Sequence, residues 1–539
     1  MRSWREFVIR ARRKPAVAAM AALLALSTAT PASAAAGLGS VPPTVCRADV
    51  LQAGLPRADG IVTGATLNTS GSFTPPGQPA VTGLPAFCRV TMAKPDGAGH
   101  DIGIEVWLPT AGWNGRFQGV GGGGYSCGIS YPALGKALGN GYAAASTDCG
   151  HQGGNRDGSF ALTAGRRLDW PLITDFASRG IHDMTVVGKD VTKAFFDRLP
   201  SYSYFTGCST GGRQGLMEVQ RFPGDYDGIV SGAPAINWTR FIPAEIWPQL
   251  VMNEAADFLP ACKQQAFTAA VVKACDALDG VTDGVIGNVD ACRWNPHALV
   301  GTVTPCGTVT ATDADVVAKI WEGPKTAGRP LWFGLEPGAD FSGLAGTTTD
   351  ASGNTTGAAF PITVAWFGTW LQRDPAWDWR TLTFSRFEQL FAQSVKEFGP
   401  TIATDDPDLS AFAARGGKVL LWHGLADELI FPQGTVDYYQ RVQRAMRGGA
   451  ATAQFARLFL APGASHCRSA AGPMPDDPLA AVVAWVEHGR APQTVPASLT
   501  TPAGTEVTRK LCPYPQVARY NRTGNPDDAD SFTCARTYR

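Results

Sequence analysis

The stretch from Tyr202 to Arg213 constrains the fold more than any other part of the chain. Bulky residues alternate through Tyr202-Ser203-Tyr204-Phe205-Thr206, the pattern of a β-strand. Gly207-Cys208-Ser209-Thr210-Gly211 then tightens into a turn, and residues 212–222 read as a helix. Glycines flanking Ser209 let the backbone pass without a Cβ clash. The G-x-S-x-G spacing therefore predicts a sharp strand-to-helix turn with the serine at its tip. Such a motif also arises by chance, so its weight comes from what surrounds it.

The surroundings alternate between the two periodicities. Residues 102–109, 116–120 and 142–147 have strand patterns, and residues 181–198 carry Ile181, Met184, Val187 and Val191 at helical spacing. After the elbow helix, residues 226–234 form a further strand. Later come a strand over 417–424, a helix over 434–446, a strand over 456–460 and a helix over 478–488. This alternation predicts an α/β fold with a mostly parallel sheet. Between residues 236 and 410 it lapses into scattered tryptophans, an acidic glycine loop and a Gly/Thr-rich stretch. That segment is expected to be an inserted lid domain, leaving 35–235 and 411–539 as the catalytic domain. A chain of 539 residues is long enough for two cores. Residues 46–88 are turn-rich and read as an N-terminal arm.

Formal net charge is zero, and no basic run lies outside the N-terminus, so charge gives no reason to expect nucleic acid or a membrane surface as partner. The N-terminus itself has the form of an export signal. Arg2, Arg5, Arg10, Arg12, Arg13 and Lys14 precede an apolar run over 16–26, and Pro31-Ala32-Ser33-Ala34 offers a cleavage site. The run is shorter than the roughly 20 residues a membrane span needs. Residues 1–34 are thus expected to be a signal peptide, and the mature protein to be secreted and mildly acidic. Export accounts for 12 cysteines at scattered spacings, which read as disulfides and not as metal ligands.

A serine at an elbow needs a base, and the base needs an orienting acid. In the α/β-hydrolase order the acid and then the histidine follow the serine, each on a loop after a late strand. Of 7 histidines, His466 stands just past the 456–460 strand; His488 ends a helix and reads as solvated; His423 closes a strand and should shape the next loop. The acid is Asp427, with adjacent Glu428 as fallback. Cys208 precedes the serine and Cys467 follows the histidine. If Ser209 and His466 meet, the two sulfurs can bridge and staple the loops together. The backbone N–H groups of Thr210 and of Gly121, in the glycine run after the 116–120 strand, are the expected oxyanion donors.

A second loop, Cys275-Asp276-Ala277-Leu278-Asp279-Gly280-Val281-Thr282-Asp283-Gly284-Val285, gathers three carboxylates. Either a hard cation such as Ca²⁺ or solvent must relieve their repulsion. The loop lacks the EF-hand spacing, and its own residues leave both readings open.

Together these pieces resemble the tannase and feruloyl esterase family. The resemblance rests on Cys208-Ser209, Asp427 and His466-Cys467, on Gly207 to Arg213, on the Phe222-to-Pro234 segment, on the Cys275-to-Gly280 loop and on Leu511-Cys512-Pro513-Tyr514-Pro515. It implies a disulfide-rich α/β-hydrolase fold and structural Ca²⁺ in the lid, held by the side chains of Asp276, Asp279 and Asp283 and the carbonyls of Val281 and Val285. It implies no organic cofactor. It also pairs Cys275 with Cys292, Cys512 with Cys534, and Cys46 with Cys88; Cys127/Cys149 and Cys262/Cys306 follow by elimination and proximity of elements. Members cleave esters of phenolic acids, so the implied activity is that of a serine esterase, feruloyl esterase first. The expected partner is a small aromatic ester or a feruloylated polysaccharide. Tannase, mono(2-hydroxyethyl) terephthalate hydrolase, a secreted serine peptidase and a hydrolase-like binding protein are the alternatives. Trp321, Trp332, Trp366, Trp370, Trp377 and Trp379 can wall an aromatic acyl group, although such residues more often pack a core.

Overall fold

The computed structural model describes residues 42–56 and 60–536, so the expected signal peptide over residues 1–34 lies outside the described residues. Nine strands form the central sheet: β1 (Ile61–Asn68), β2 (Phe87–Pro95), β3 (Asp101–Pro109), β4 (Arg116–Val120), β5 (Ala143–Thr147), β6 (Tyr202–Cys208), β7 (Gly228–Gly232), β8 (Lys418–Gly424) and β9 (Ala456–Ala461). Their spatial order is β1-β2-β3-β5-β4-β6-β7-β8-β9. The pairs from β1 through β3 to β5 are antiparallel, and every pair from β5/β4 onward is parallel.

Alternating side chains separate two cores. On β6, Tyr204 enters one apolar cluster and Phe205 the other; on β8, Leu420 lies opposite Val419 and Leu421. Successive residues of a strand face opposite sides, so helices must cover both faces. Helix α1 (Gly180–Phe196) buries Ile181, Met184, Val187 and Val191 on one. Helix α2 (Thr210–Arg221) follows the elbow on the same side with Leu216, Met217 and Val219. Its Arg213 is fully buried, donating to the carbonyls of Phe176 and Ala177 at 2.9 and 2.8 Å.

The arm expected over 46–88 is corrected: β1 and the start of β2 are sheet strands. β1 is an edge strand with Ile61, Thr63 and Thr66 outward or half-exposed, so it lacks a clean apolar alternation. The insertion is more helical than expected. It opens with α3 (Trp238–Glu245) and contains the helices Ala261–Cys275 and Ala311–Glu322 and α4 (Phe384–Ile402). The buried stripe of the Ala261–Cys275 helix is Gln264, Phe267, Val271 and Cys275. Its polar member, Gln264, donates to the carbonyls of Leu259 and Ala345 and breaks the apolar signal.

This insertion shares the main core. Trp366 and Trp370 are fully buried, and Trp370 stacks on Tyr125 of the catalytic half at 5.6 Å. Trp379 is buried, while Trp321, Trp332 and Trp377 pack half-buried against the same core. All six tryptophans therefore serve packing. Downstream, α5 (Pro432–Ala445) follows β8, α6 (Pro478–His488) lies on the opposite sheet face, and the tail folds into two hairpin-like pairs.

Candidate active site

Ser209 sits between β6 and α2 with φ 61° and ψ −126°, a strained backbone for a residue with a side chain. Such strain costs about 1–3 kcal/mol and persists only where the surroundings enforce it. Here the Ser209 N–H donates to the Gly232 carbonyl at 3.0 Å, and its carbonyl accepts from Arg213 and Ala235, both at 3.0 Å. Gly207 is obligatory: a Cβ there would lie 2.4 Å from the Gly211 backbone. The hydroxyl makes no capping bond and has no hydrogen-bond partner among the described residues. In sites without substrate, catalytic hydrogen bonds are often long and tighten only on binding.

The acid–base pair is fully formed. Asp427 is 1% exposed on the turn after β8, and its Oδ2 lies 2.8 Å from Nδ1 of His466. Its Oδ1 accepts the N–H groups of Leu429 and Ile430 at 2.9 and 2.8 Å. A second histidine joins this carboxylate. His423 Nε2 lies 3.1 Å from both Asp427 Oδ2 and the Ile430 carbonyl, while its Nδ1 lies 2.8 Å from the Thr435 hydroxyl. Two acceptors at Nε2 place a ring proton there, while the Thr435 hydroxyl can donate to or accept from Nδ1. His423 thus braces Asp427 as well as shaping the loop, a link no local spacing reveals.

Burial opposes the charge on Asp427, but the nearby His466 and the hydrogen bonds from His423 and His466 hold its carboxyl well below the usual range. Burial likewise lowers His466, and the Asp427 charge and hydrogen bond outweigh it, leaving the imidazole raised above its ordinary 6.5. Glu428 acts on the main chain instead: it accepts from the His466 N–H at 3.0 Å and from Arg468 at 2.8 Å, fixing the base loop. Burial, and then the Asp427 charge, push the carboxyl of buried Glu245, on α3, well above its ordinary range.

Cys208 and Cys467 form a disulfide with a Cα–Cα distance of 6.0 Å across 259 residues of chain. The serine turn and the histidine loop are thereby joined at the residues adjoining Ser209 and His466. The other bridges are Cys46–Cys88, Cys127–Cys149, Cys262–Cys306, Cys275–Cys292 and Cys512–Cys534.

One expected oxyanion donor is corrected. The Gly121 N–H donates to the Thr206 carbonyl at 3.0 Å, extending the β4–β6 ladder by one rung, and is not free. Gly122 is committed too, to Gln214 Oε1 at 3.0 Å. Among the described residues no hydrogen bond engages the N–H of Thr210, the first residue of α2, and its hydroxyl donates to the Gly124 carbonyl at 2.7 Å.

In the acidic loop, Asp276 accepts from the N–H groups of Asp283 and Gly284, both at 3.0 Å, and Arg509 donates to Asp283 at 2.7 Å. Burial, then the charges of Asp283 and Asp276, push Asp279 up to about 6. A Cβ at Gly287 would fall 2.1 Å from Asp279 Oδ2, so this position must be bare for the carboxylate to sit there. All-oxygen donors around a crowded, desolvated carboxylate fit a hard cation, although Arg509 already neutralises one of the three. A cavity of about 760 Å³ opens beside this loop, lined by Asp279, Glu336, Leu425, Arg509 and Tyr514. Ser209, Asp427 and His466 are not among its walls.

A mixed sheet, parallel from β5 onward, with a serine elbow, a buried acid and a histidine on successive late loops defines a serine hydrolase of the α/β-hydrolase class. The chain belongs to the tannase and feruloyl esterase family, whose model matches residues 88–535. A probable feruloyl esterase of Arthroderma benhamiae is 45% identical over 454 residues, covering 82% of this chain and 84% of its own. Among solved structures, the tannin acyl hydrolase of Aspergillus niger superposes with a TM-score of 0.83 at 26% identity, covering 92% of this chain and 96% of that one. Feruloyl esterase B of Aspergillus oryzae gives 0.80 at 28% identity, covering 91% and 99%.

Proposed function

We propose that the protein is a secreted serine esterase that releases phenolic acids from their esters, acting first as a feruloyl esterase. The observation that carries the catalytic reading is the buried Asp427–His466 pair, stapled through Cys467–Cys208 to the Ser209 turn. His466 takes the Ser209 proton through Nε2, since Nδ1 is engaged by Asp427. The serine oxygen attacks the ester carbonyl, and the Thr210 N–H at the positive end of α2 stabilises the oxyanion. His466 then protonates the leaving alcohol, and water deprotonated by the same ring releases the acid.

The name of the Arthroderma benhamiae relative favours the feruloyl reading, and the structural likeness to the tannin acyl hydrolase keeps the galloyl reading second. Methyl ferulate carries a vinylene spacer and a methoxyl where methyl gallate has a direct ring–carboxyl bond and extra ring hydroxyls, a difference worth about tenfold or more in a fitted pocket. The expected kcat/KM is higher for methyl ferulate by at least that factor. A reversed preference makes the protein a tannase, and peptide turnover with both esters inert overturns the esterase reading. Six disulfides support an oxidising destination, and no helix among the described residues is long and apolar enough to cross a membrane.

Calcium completes the proposal as a structural ion: the Asp276, Asp279 and Asp283 carboxylates and the Val281 and Val285 carbonyls would hold it. It would supply fixed positive charge to the loop and takes no part in acyl transfer. Chelation is expected to lower Tm by roughly 5 °C, since an ion bound only by the folded state stabilises it. Differential scanning calorimetry with and without chelator checks this; an unchanged Tm argues for a solvated acidic turn.

A further inference from the structure

Helix α2 carries Ser209 at one end and a second cluster of ionisable groups at the other. Glu218 stands in its last turns, His182 in the first turn of α1, and Asp225 in the turn leading to β7. One ligand atom from each lies within 4.8 Å of the other two. His182 Nδ1 is 2.6 Å from Asp225 Oδ2, and the ring is clamped flat on Phe222 at 3.9 Å. Glu218 is 1% exposed, no donor among the described residues reaches either carboxylate oxygen, and its polar neighbour is the Asp225 carboxylate. A buried carboxyl left without donors is costly, and this one is directed into a group already holding an imidazole and a second carboxylate.

The nearby cation does not resolve that cost. Lys189 donates to the main-chain carbonyl of Asp225 and lies over the Tyr226 ring at 5.4 Å.

We propose that His182, Glu218 and Asp225 form a binding site for a divalent transition-metal ion of the zinc type. One imidazole nitrogen and two carboxylate oxygens suit Zn²⁺, which takes such donors with water completing the tetrahedron, whereas Ca²⁺ prefers oxygen alone. The ion displaces the proton that His182 and Asp225 share and gives Glu218 the partner it lacks. Entry is open, because the His182 and Asp225 side chains are 31% and 16% exposed. Bound there, the ion ties α1 to the far end of the helix that begins at the nucleophile, as the Cys208–Cys467 bridge ties its near end.

The test uses the full chain, stripped with chelator, dialysed against ZnCl2 and measured for bound metal by mass spectrometry. Wild type is expected to retain one equivalent more zinc than either Glu218→Gln or His182→Gln, and to gain Tm on zinc addition where the variants do not. Co²⁺ in place of zinc should give visible absorption bands in wild type that His182→Gln abolishes. Equal zinc retention in wild type and His182→Gln overturns the proposal, as does the absence of any retained zinc. Should Glu218→Gln fail to fold, the half-exposed His182 substitution decides alone.

Discussion

Ser209→Ala is expected to leave a folded protein whose turnover of methyl ferulate falls by about 10⁶-fold in kcat, the order seen when a triad nucleophile is removed elsewhere. The strained turn presents residue 209 at its tip, between β6 and α2. The fold should survive, because the hydroxyl makes no hydrogen bond among the described residues that alanine would break. Alanine keeps the Cβ and leaves the main-chain bonds to Gly232, Arg213 and Ala235 in place. Circular dichroism and Tm should match wild type while steady-state kinetics show the loss. Retained activity would mean another nucleophile.

Asp427→Asn is expected to cost about 10⁴-fold in kcat, because the amide nitrogen can force the wrong tautomer on His466. The pH profile should change as well. Asp427 raises His466 above its ordinary value, against a desolvation that lowers it. Catalysis needs the neutral ring, so activity falls as pH drops through the imidazole pKa. Removing the negative charge leaves desolvation opposed only by the weaker Glu428 charge, and the acid limb of residual kcat/KM should move to lower pH. A loss of rate with an unmoved acid limb would show that Asp427 does not set the ring's charge. His423 makes the substitution sharper: its Nε2–H already points at Oδ2, and an amide there would also set two donors against each other.

How much of this could be read from the chain depended on whether a feature was local. The parallel strand β8 is buried on both faces and stands out as an apolar run, while β6 shows through its alternating bulky residues. The Ser209 elbow announces itself through glycines whose absence would cause clashes. Edge strand β1, half in solvent, carries no such signal and passed for an irregular arm. The Ala261–Cys275 helix was hidden because a buried glutamine interrupts its stripe. At the site, Asp427 and His466 were legible from chain order and loop position. Gly121 was misread as a free donor because a strand's last residue does not reveal whether its N–H is still paired; here the ladder runs one residue further, to Thr206. The roles of His423 and the meeting of His182 with Glu218 and Asp225 depend on packing between separate elements, which spacing along one element cannot supply.

The central claim is that Asp427 and His466 turn the Ser209 hydroxyl into the acyl-accepting nucleophile. A fluorophosphonate reacts covalently with such a serine, and peptide mass mapping locates the adduct. A single adduct on the peptide containing Ser209, lost in His466→Ala, is the predicted result. An adduct on a different residue, or an unlabelled protein that still hydrolyses methyl ferulate, would contradict it.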